Sequence, residues 1–236
     1  MTDASRPPAD ERLILLLVGA VGAGKGTQAE ILDRELGLVH LASGELFRRA
    51  MREGTPLGEQ AREYMERGDL VPDDITIGMF MEELAQPGAA RGAILDGFPR
   101  TVGQARALDE TLASHGEQIR RVIYIDVPAE ELVSRVAGRY TCPTCGTPYH
   151  VAGDPPKNTG ICDNDGTPLV QRDDDRPEVV RARLAKQVPP MLEVVDHYQR
   201  AGIVDRIDGM QPIEGVTRDI LRAVGVEPAG YRADRG

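Results

Sequence analysis

Positive charge is in short supply: 28 lysines and arginines stand against 38 aspartates and glutamates, giving a net charge of −10 and a pI of about 5.0. A field of that sign repels nucleic acid and anionic membranes, so neither is expected as a partner. Arginines that do cluster are read as acting locally on a small anion. Long apolar runs are also missing. None approaches the ~20 residues of a membrane span, and residues 1–12 lack the apolar core of a signal peptide, which points to the cytoplasm. Cysteine occurs three times, an odd number that leaves a disulfide framework incomplete, in a compartment that keeps thiols reduced. None of the four histidines, His40, His115, His150 and His197, stands in company that suggests catalysis. Internal repeats and coiled-coil heptads are absent, and with no obvious exposed apolar stripe a monomer is the default expectation.

What is present suits one domain with insertions: 236 residues, 41% of them hydrophobic, are enough to bury a full core. The polar, proline-rich residues 1–12 read as a disordered leader, and residues 226–236 as a tail of the same kind. The first strong signal is Leu13-Ile-Leu-Leu-Leu-Val18, a short apolar run bounded by glycine that suits a strand buried on both faces. It runs into Gly19-Ala-Val-Gly-Ala-Gly-Lys-Gly-Thr27, where small residues let successive backbone N–H groups turn toward phosphate oxygens. Lys25 then reaches the outer phosphates as a point charge. A helix with Ile31, Leu32 and Leu36 inward completes the strand, loop and helix of a phosphate loop. Its usual hydroxyl after lysine is replaced by Gly26, with Thr27 one place on, so Mg²⁺ is expected to be held through water.

Further along, Ser43 is expected to cap a helix carrying Leu46 and Phe47 inward and Arg48 outward. Residues 50–70 have few apolar positions and read as a small outlying lobe, broken at Gly54 and Pro56. Asp73 or Asp74 caps the next helix. Ala93-Ile-Leu-Asp96 is a second buried strand ending on a carboxylate, which in an open parallel sheet faces the ligand crevice and suits Mg²⁺ held through its waters. The irregular turn after it carries Arg100, suited to a phosphate, and Gln104, whose amide both donates and accepts and so suits a purine edge. A strand over residues 121–127 leads to a helix on which Arg135 and Arg139, four apart, share a face.

Residues 138–175 differ in composition: rich in Gly, Pro, Asp and Thr, poor in aliphatics, and holding all three cysteines. Cys142-Pro-Thr-Cys145, then sixteen residues, then Cys162-Asp-Asn-Asp165 gives two tight knuckles offering four tetrahedral ligands, a closed structural zinc site with a carboxylate in the fourth place. With almost no apolar core, the segment needs such a site to be ordered. Asp175 with Glu178 reads as a capping box, and Pro189-Pro190 is expected to break or bend the helix beyond.

The ordered set Gly19-x-x-Gly-x-Gly-Lys-Gly-Thr27, Ser43-Gly-Glu-Leu-Phe-Arg48 and Asp96-Gly-Phe-Pro-Arg-Thr-x-x-Gln104 resembles the adenylate kinases, over residues 13–224. The family commonly has threonine at position 43 and proline at 21; here Ser43 keeps the hydroxyl and Val21 the spacing. The resemblance implies a P-loop NTPase-like α/β fold, a five-stranded parallel sheet flanked by helices. Residues 13–42, 72–137 and 176–225 would be its core, 43–71 a helical AMP-binding lobe and 138–175 a zinc-bearing lid. It implies reversible Mg²⁺-dependent transfer, ATP + AMP to two ADP, serving adenine nucleotide homeostasis. ATP would be bound by Gly22, Ala23, Gly24, Lys25, Gly26, Thr27, Arg135, Arg139 and Gln211. AMP would be bound by Ser43, Arg48, Val71, Gly97, Arg100, Gln104, Arg172 and Arg183. Lys25, Asp96, Arg100, Arg139, Arg172 and Arg183 would serve the transfer, while Cys142, Cys145, Cys162 and Asp165 hold zinc away from the chemistry. A kinase for UMP or CMP, or one using GTP, is the near alternative. A non-catalytic nucleotide-gated binding protein is the distant one.

Overall fold

The computed structural model describes residues 12–67, 71–151, 153, 155–171 and 175–226. Arg172, Gly68, the first eleven residues of the expected leader and residues 227–236 lie outside them. The chain runs β1 (Leu13–Val18), α1 (Lys25–Leu36), β2 (Val39–Ala42), α2 (Ser43–Glu53), α3 (Pro56–Arg67), α4 (Asp73–Leu84), β3 (Gly92–Asp96), α5 (Val102–Ser114) and β4 (Arg121–Asp126). There follow α6 (Ala129–Ala137), β5 (Arg139–Thr141), β6 (Pro148–His150), α7 (Pro177–Arg200), β7 (Val204–Asp208) and α8 (Ile213–Ala223). Two units emerge: Met1–Gly19, Gly24–Asp126 and Pro190–Gly236 form the first, and Ala20–Ala23 with Val127–Pro189 the second.

The first unit is built on a parallel sheet of order β2-β3-β1-β4-β7. Its strands are parallel because helical crossovers, not hairpins, join them. β1 lies in the middle, between β3 and β4, and five of its six residues are buried, as its unbroken apolar run requires. Register sets Leu17 opposite Asp96 and Ala42 opposite Asp96 on the other side, so the carboxyl ends of β1, β3 and β2 come together. The start of β1 is pinned by Arg12, counted from sequence with the leader: its Nη1 donates to Leu84 O at 2.7 Å and meets Glu117 Oε1 at 2.9 Å.

The described part of residues 50–70, expected to lie as an outlying lobe for want of apolar positions, instead packs into the core. Leu46, Phe47, Ala50, Ala61 and Val71 belong to the same buried cluster as Ile14, Leu16 and Leu95, with Leu57 and Tyr64 packed against it. Their few apolar residues fall on shared faces, which a composition count does not register. Two expected caps are also replaced. The residue before α2 is Ala42, and Ser43 is its first helical residue; the residue before α4 is Pro72, and neither Asp73 nor Asp74 bonds that helix end as its cap.

In the second unit, α6 ends at Ala137 with Gly138 beyond it, so Arg139 lies on β5 and shares no helical face with Arg135. β5 and β6 form an antiparallel pair. α7 is a continuous helix of 24 residues through Pro189 and Pro190, so of the expected break or bend the break does not occur. Each proline forfeits a backbone hydrogen bond, but Val180 and Leu184 before the pair and Val194, Val195 and Tyr198 after it are buried, and that burial holds the helix. The boundary between the units falls between the two prolines.

Candidate active site and metal centre

The glycine-rich loop takes the conformations its sequence permits. Gly22 (φ 84°) and Gly24 (φ 93°) are left-handed, and Gly24 stands directly before α1, whose first residue is Lys25. At Gly22 a Cβ would come within 2.8 Å of Val136 Cγ2 and 3.1 Å of Leu132 O, so the position excludes a side chain on steric as well as conformational grounds. Ala23 N donates to Ala20 O at 3.1 Å, closing the loop on itself. Lys25 Nζ donates to Gly19 O at 2.9 Å and lies 3.9 Å from Asp96 Oδ1. Gly26 and Thr27 are exposed.

Asp96, at the end of β3, is the electrostatic centre of the first unit's site. Burial pushes its carboxyl up, but the polar contact from His40 and the charges of Lys25, His40 and Arg100 outweigh it and hold the group below its ordinary value. His40 Nε2 lies 3.5 Å from Asp96 Oδ2, long for a hydrogen bond but close for an ion pair. Sequence reasoning had set all four histidines aside. Nothing local marks His40, which reaches Asp96 only because β2 pairs with β3.

Beyond Asp96 the turn is anchored by Phe98, buried and stacked on Phe80 of α4 with ring centroids 5.4 Å apart. Ser43 Oγ, buried, donates to Gly97 O at 3.2 Å, and Arg100 Nε donates to the same carbonyl at 2.8 Å. Thr101 caps α5, its Oγ1 accepting from Gln104 N at 3.2 Å. The Gln104 amide accepts from Arg100 N at 2.7 Å and donates to Asp73 Oδ1 at 2.9 Å. Ser43, Gly97, Arg100 and Gln104 are therefore one hydrogen-bonded group. Val71 is buried, and Arg48 is exposed and paired with Glu45 at 2.9 Å. Gln211 follows β7, its Nε2 bonded to Asp208 O at 3.2 Å and Asp219 Oδ2 at 2.9 Å.

In the second unit, Arg135 Nε donates to Glu131 Oε1 at 2.8 Å. Arg139 grips Asp175 with two nitrogens, Nε to Oδ2 at 2.9 Å and Nη2 to Oδ1. Asp175 is fully buried, so the carboxylate assigned from sequence to a capping box is committed to an ion pair instead. Arg183 is half-buried on α7.

The cysteine segment forms two matching knuckles. Cys142 N donates to Thr147 O and Gly146 N to Cys142 O, both at 3.0 Å; Cys162 N donates to Thr167 O at 2.8 Å and Gly166 N to Cys162 O at 3.0 Å. Gly146 (φ 79°) and Gly166 (φ 73°) supply the left-handed residue each turn needs. The Sγ atoms of Cys142, Cys145 and Cys162 and a carboxylate oxygen of Asp165 all lie within 4.8 Å of one another. Cys145 and Cys162 Sγ are 3.5 Å apart, near the ~3.8 Å edge of a tetrahedron with 2.3 Å zinc–sulfur bonds. The set therefore fits a tetrahedral metal. Hydrogen bonds from the Thr147 side chain and backbone draw the Cys145 thiol down to about 7, toward the thiolate a metal takes. Among the described residues, the buried cluster at the knuckles consists of Cys142, Tyr149 and Cys162, with Leu169 against it. Among the described residues no helix is long and apolar enough to cross a membrane.

Comparison with known proteins gives a concordant result. The family model described as adenylate kinase matches residues 17–203. An adenylate kinase of Oceanobacillus iheyensis is 48% identical over 206 residues, covering 87% of this chain and 96% of the relative. Those of Exiguobacterium sibiricum and Staphylococcus aureus are 47% and 44% identical, covering 89% and 88% of this chain and 98% and 96% of theirs.

Proposed function

The chain belongs to the adenylate kinase family and is a nucleoside monophosphate kinase, and on that premise we propose how its side chains carry ATP + AMP to two ADP. The observation that carries the reading is the convergence of Lys25, Asp96, Ser43, Arg100 and Gln104 at the carboxyl ends of β1, β2 and β3. Phosphoryl transfer asks for positioning and charge neutralisation more than for an acid or base, since the attacking AMP phosphate is already an anion. The loop N–H groups and Lys25 bind the ATP phosphates, with Gly22, Ala23, Gly24, Gly26 and Thr27 forming the cradle. Mg²⁺ enters with ATP as part of the substrate and neutralises phosphate charge; Asp96, kept ionised by its cationic neighbours, holds waters of that ion.

Arg100 takes the AMP phosphate with Arg48, while Ser43, Val71, Gly97 and Gln104 receive the nucleoside, Gln104 meeting the base. Arg135 and Gln211 serve the ATP base, and Arg139, Arg172 and Arg183 the transferring phosphoryl group. Residues 43–71 act as the AMP-binding segment and 138–175 as the lid. Zinc is the metal assigned to Cys142, Cys145, Cys162 and Asp165. All four places there are filled by protein groups, which suits a structural ion and not a catalytic one. The protein is read as cytoplasmic and monomeric.

Initial rates with MgATP against AMP, GMP, UMP and CMP test this. ADP formation is expected with AMP, and Lys25→Met or Arg100→Ala is expected to lower it by roughly a hundredfold or more. Near-unchanged turnover in both variants would overturn the assignment, and a pyrimidine preference would overturn the acceptor site.

A further inference from the structure

The amide of Gln104 is held at both ends. Oε1 accepts from the Arg100 backbone N–H and Nε2 donates to Asp73 Oδ1, while Thr101 fixes the backbone of the same residue. Only 5% of Gln104 is exposed. The two ends of an amide are nearly the same shape, so its orientation is set by its partners. Here the partners are unambiguous: a carboxylate only accepts, and a backbone N–H only donates. Turning the amide over would set its carbonyl against the Asp73 carboxylate and its NH₂ against the Arg100 N–H, losing both bonds at once. Of the amide's two hydrogens and two lone pairs, one of each is used in this lock. One N–H and one lone pair on adjacent atoms remain for a ligand.

We infer that Asp73 is a specificity-determining residue, which together with the Arg100 backbone N–H locks the Gln104 amide in the orientation that accepts a 6-aminopurine and refuses a 6-oxopurine. The inference rests on the reading that Gln104 meets the base of the acceptor nucleotide. An adenine edge presents a donor, N6–H, beside an acceptor, N1; a hypoxanthine or guanine edge presents an acceptor, O6, beside a donor, N1–H. An amide free to turn over pairs with either edge. Discrimination therefore requires that turning over be costly, which is a property of the amide's partners and not of the amide. Asp73 belongs to none of the motifs that mark the site, does not bond the helix end it begins, and is exposed. Its Oδ1 is nevertheless spent on Gln104.

The test is kcat/KM for AMP and for IMP at saturating MgATP, in the unmodified protein and in Asp73→Asn, Asp73→Ala and Gln104→Ala. An asparagine can donate to a turned-over Oε1, so Asp73→Asn removes half of the lock. The AMP-to-IMP ratio is expected to fall about tenfold or more in Asp73→Asn, and by less in Asp73→Ala, with KM for ATP and the melting midpoint unmoved. Equal losses for both acceptors would make Asp73 a general support of the fold and overturn the inference. A lowered ratio in Gln104→Ala with an unchanged one in Asp73→Asn would overturn the lock while leaving the reading of Gln104 standing. An unchanged ratio in Gln104→Ala would overturn both.

Discussion

The pair formed by Arg139 and Asp175 sets a measurable difference between a buried and a surface ion pair. Asp175 is fully buried and Arg139 about a quarter exposed, and two guanidinium nitrogens engage both carboxylate oxygens. Arg139→Met keeps the apolar stem but strands a carboxylate away from water. Breaking a buried pair from one side costs about 3 to 5 kcal/mol, because an uncompensated charge stays behind. The partial exposure of Arg139 puts this case at the lower end, about 3 kcal/mol, or a midpoint lowered by roughly 6 to 12 °C in a chain of this size. Asp175→Asn strands the guanidinium, which reaches water more easily, and is expected to cost less. The double variant has no stranded charge and is expected to be more stable than the sum of the singles implies, by about 1.5 kcal/mol or more. Urea and thermal unfolding of the zinc-loaded, nucleotide-free protein measure all four corners, so that no role of Arg139 in phosphoryl transfer enters the result. Single costs below about 1 kcal/mol that simply add, as exposed pairs do, would refute the reasoning.

Removing the zinc proposed for Cys142, Cys145, Cys162 and Asp165 is expected to cost the segment over residues 138–175 its order, since structural zinc contributes on the order of 10 kcal/mol and the buried cluster found there is very small. Stoichiometric zinc by metal analysis, with faster amide exchange in that segment after chelation or in Cys142→Ser, checks this; a metal-free protein with unchanged exchange would contradict it. Because binding needs thiolates, and the Thr147 hydrogen bonds draw the Cys145 thiol down while burial pushes the Cys142 thiol up, metal affinity should rise with pH through neutrality and beyond. Asp96 makes a prediction of opposite origin. Its folded value is depressed, so its contribution to stability is fully present above the ordinary aspartate value near pH ~4 and is lost as pH falls through the folded one. The stability difference between the unmodified protein and Asp96→Asn should therefore shrink on acidification below pH ~4; a difference that grows there would show the sign to be wrong.

Much of the site could be read from the chain because its parts are contiguous. The phosphate loop, the turn after Asp96 and the two knuckles each depend on glycine, proline and ligand spacing within a few residues, and each took the geometry that spacing implies. The elements misjudged from sequence were those whose fate lay elsewhere. Ser43 bonds Gly97 across the sheet and caps no helix. Asp73 serves Gln104, 31 residues away, and Asp175 serves Arg139, 36 away. Pro189 and Pro190 stay helical because the helix on either side of them is buried.

By itself, then, the sequence determined the strand order's raw material, the glycine-rich loop before the first helix and the two knuckles that bring Cys142, Cys145, Cys162 and Asp165 together. Apolar periodicity and short-range spacing act through covalent geometry, which no distant residue can alter. The tertiary structure alone decided which charges and amides face one another: His40 against Asp96, Asp73 against Gln104, Arg139 against Asp175. A side chain's polar partner depends on sheet register and helix packing, which are set by the burial of the whole core and are not encoded near the residue that uses them.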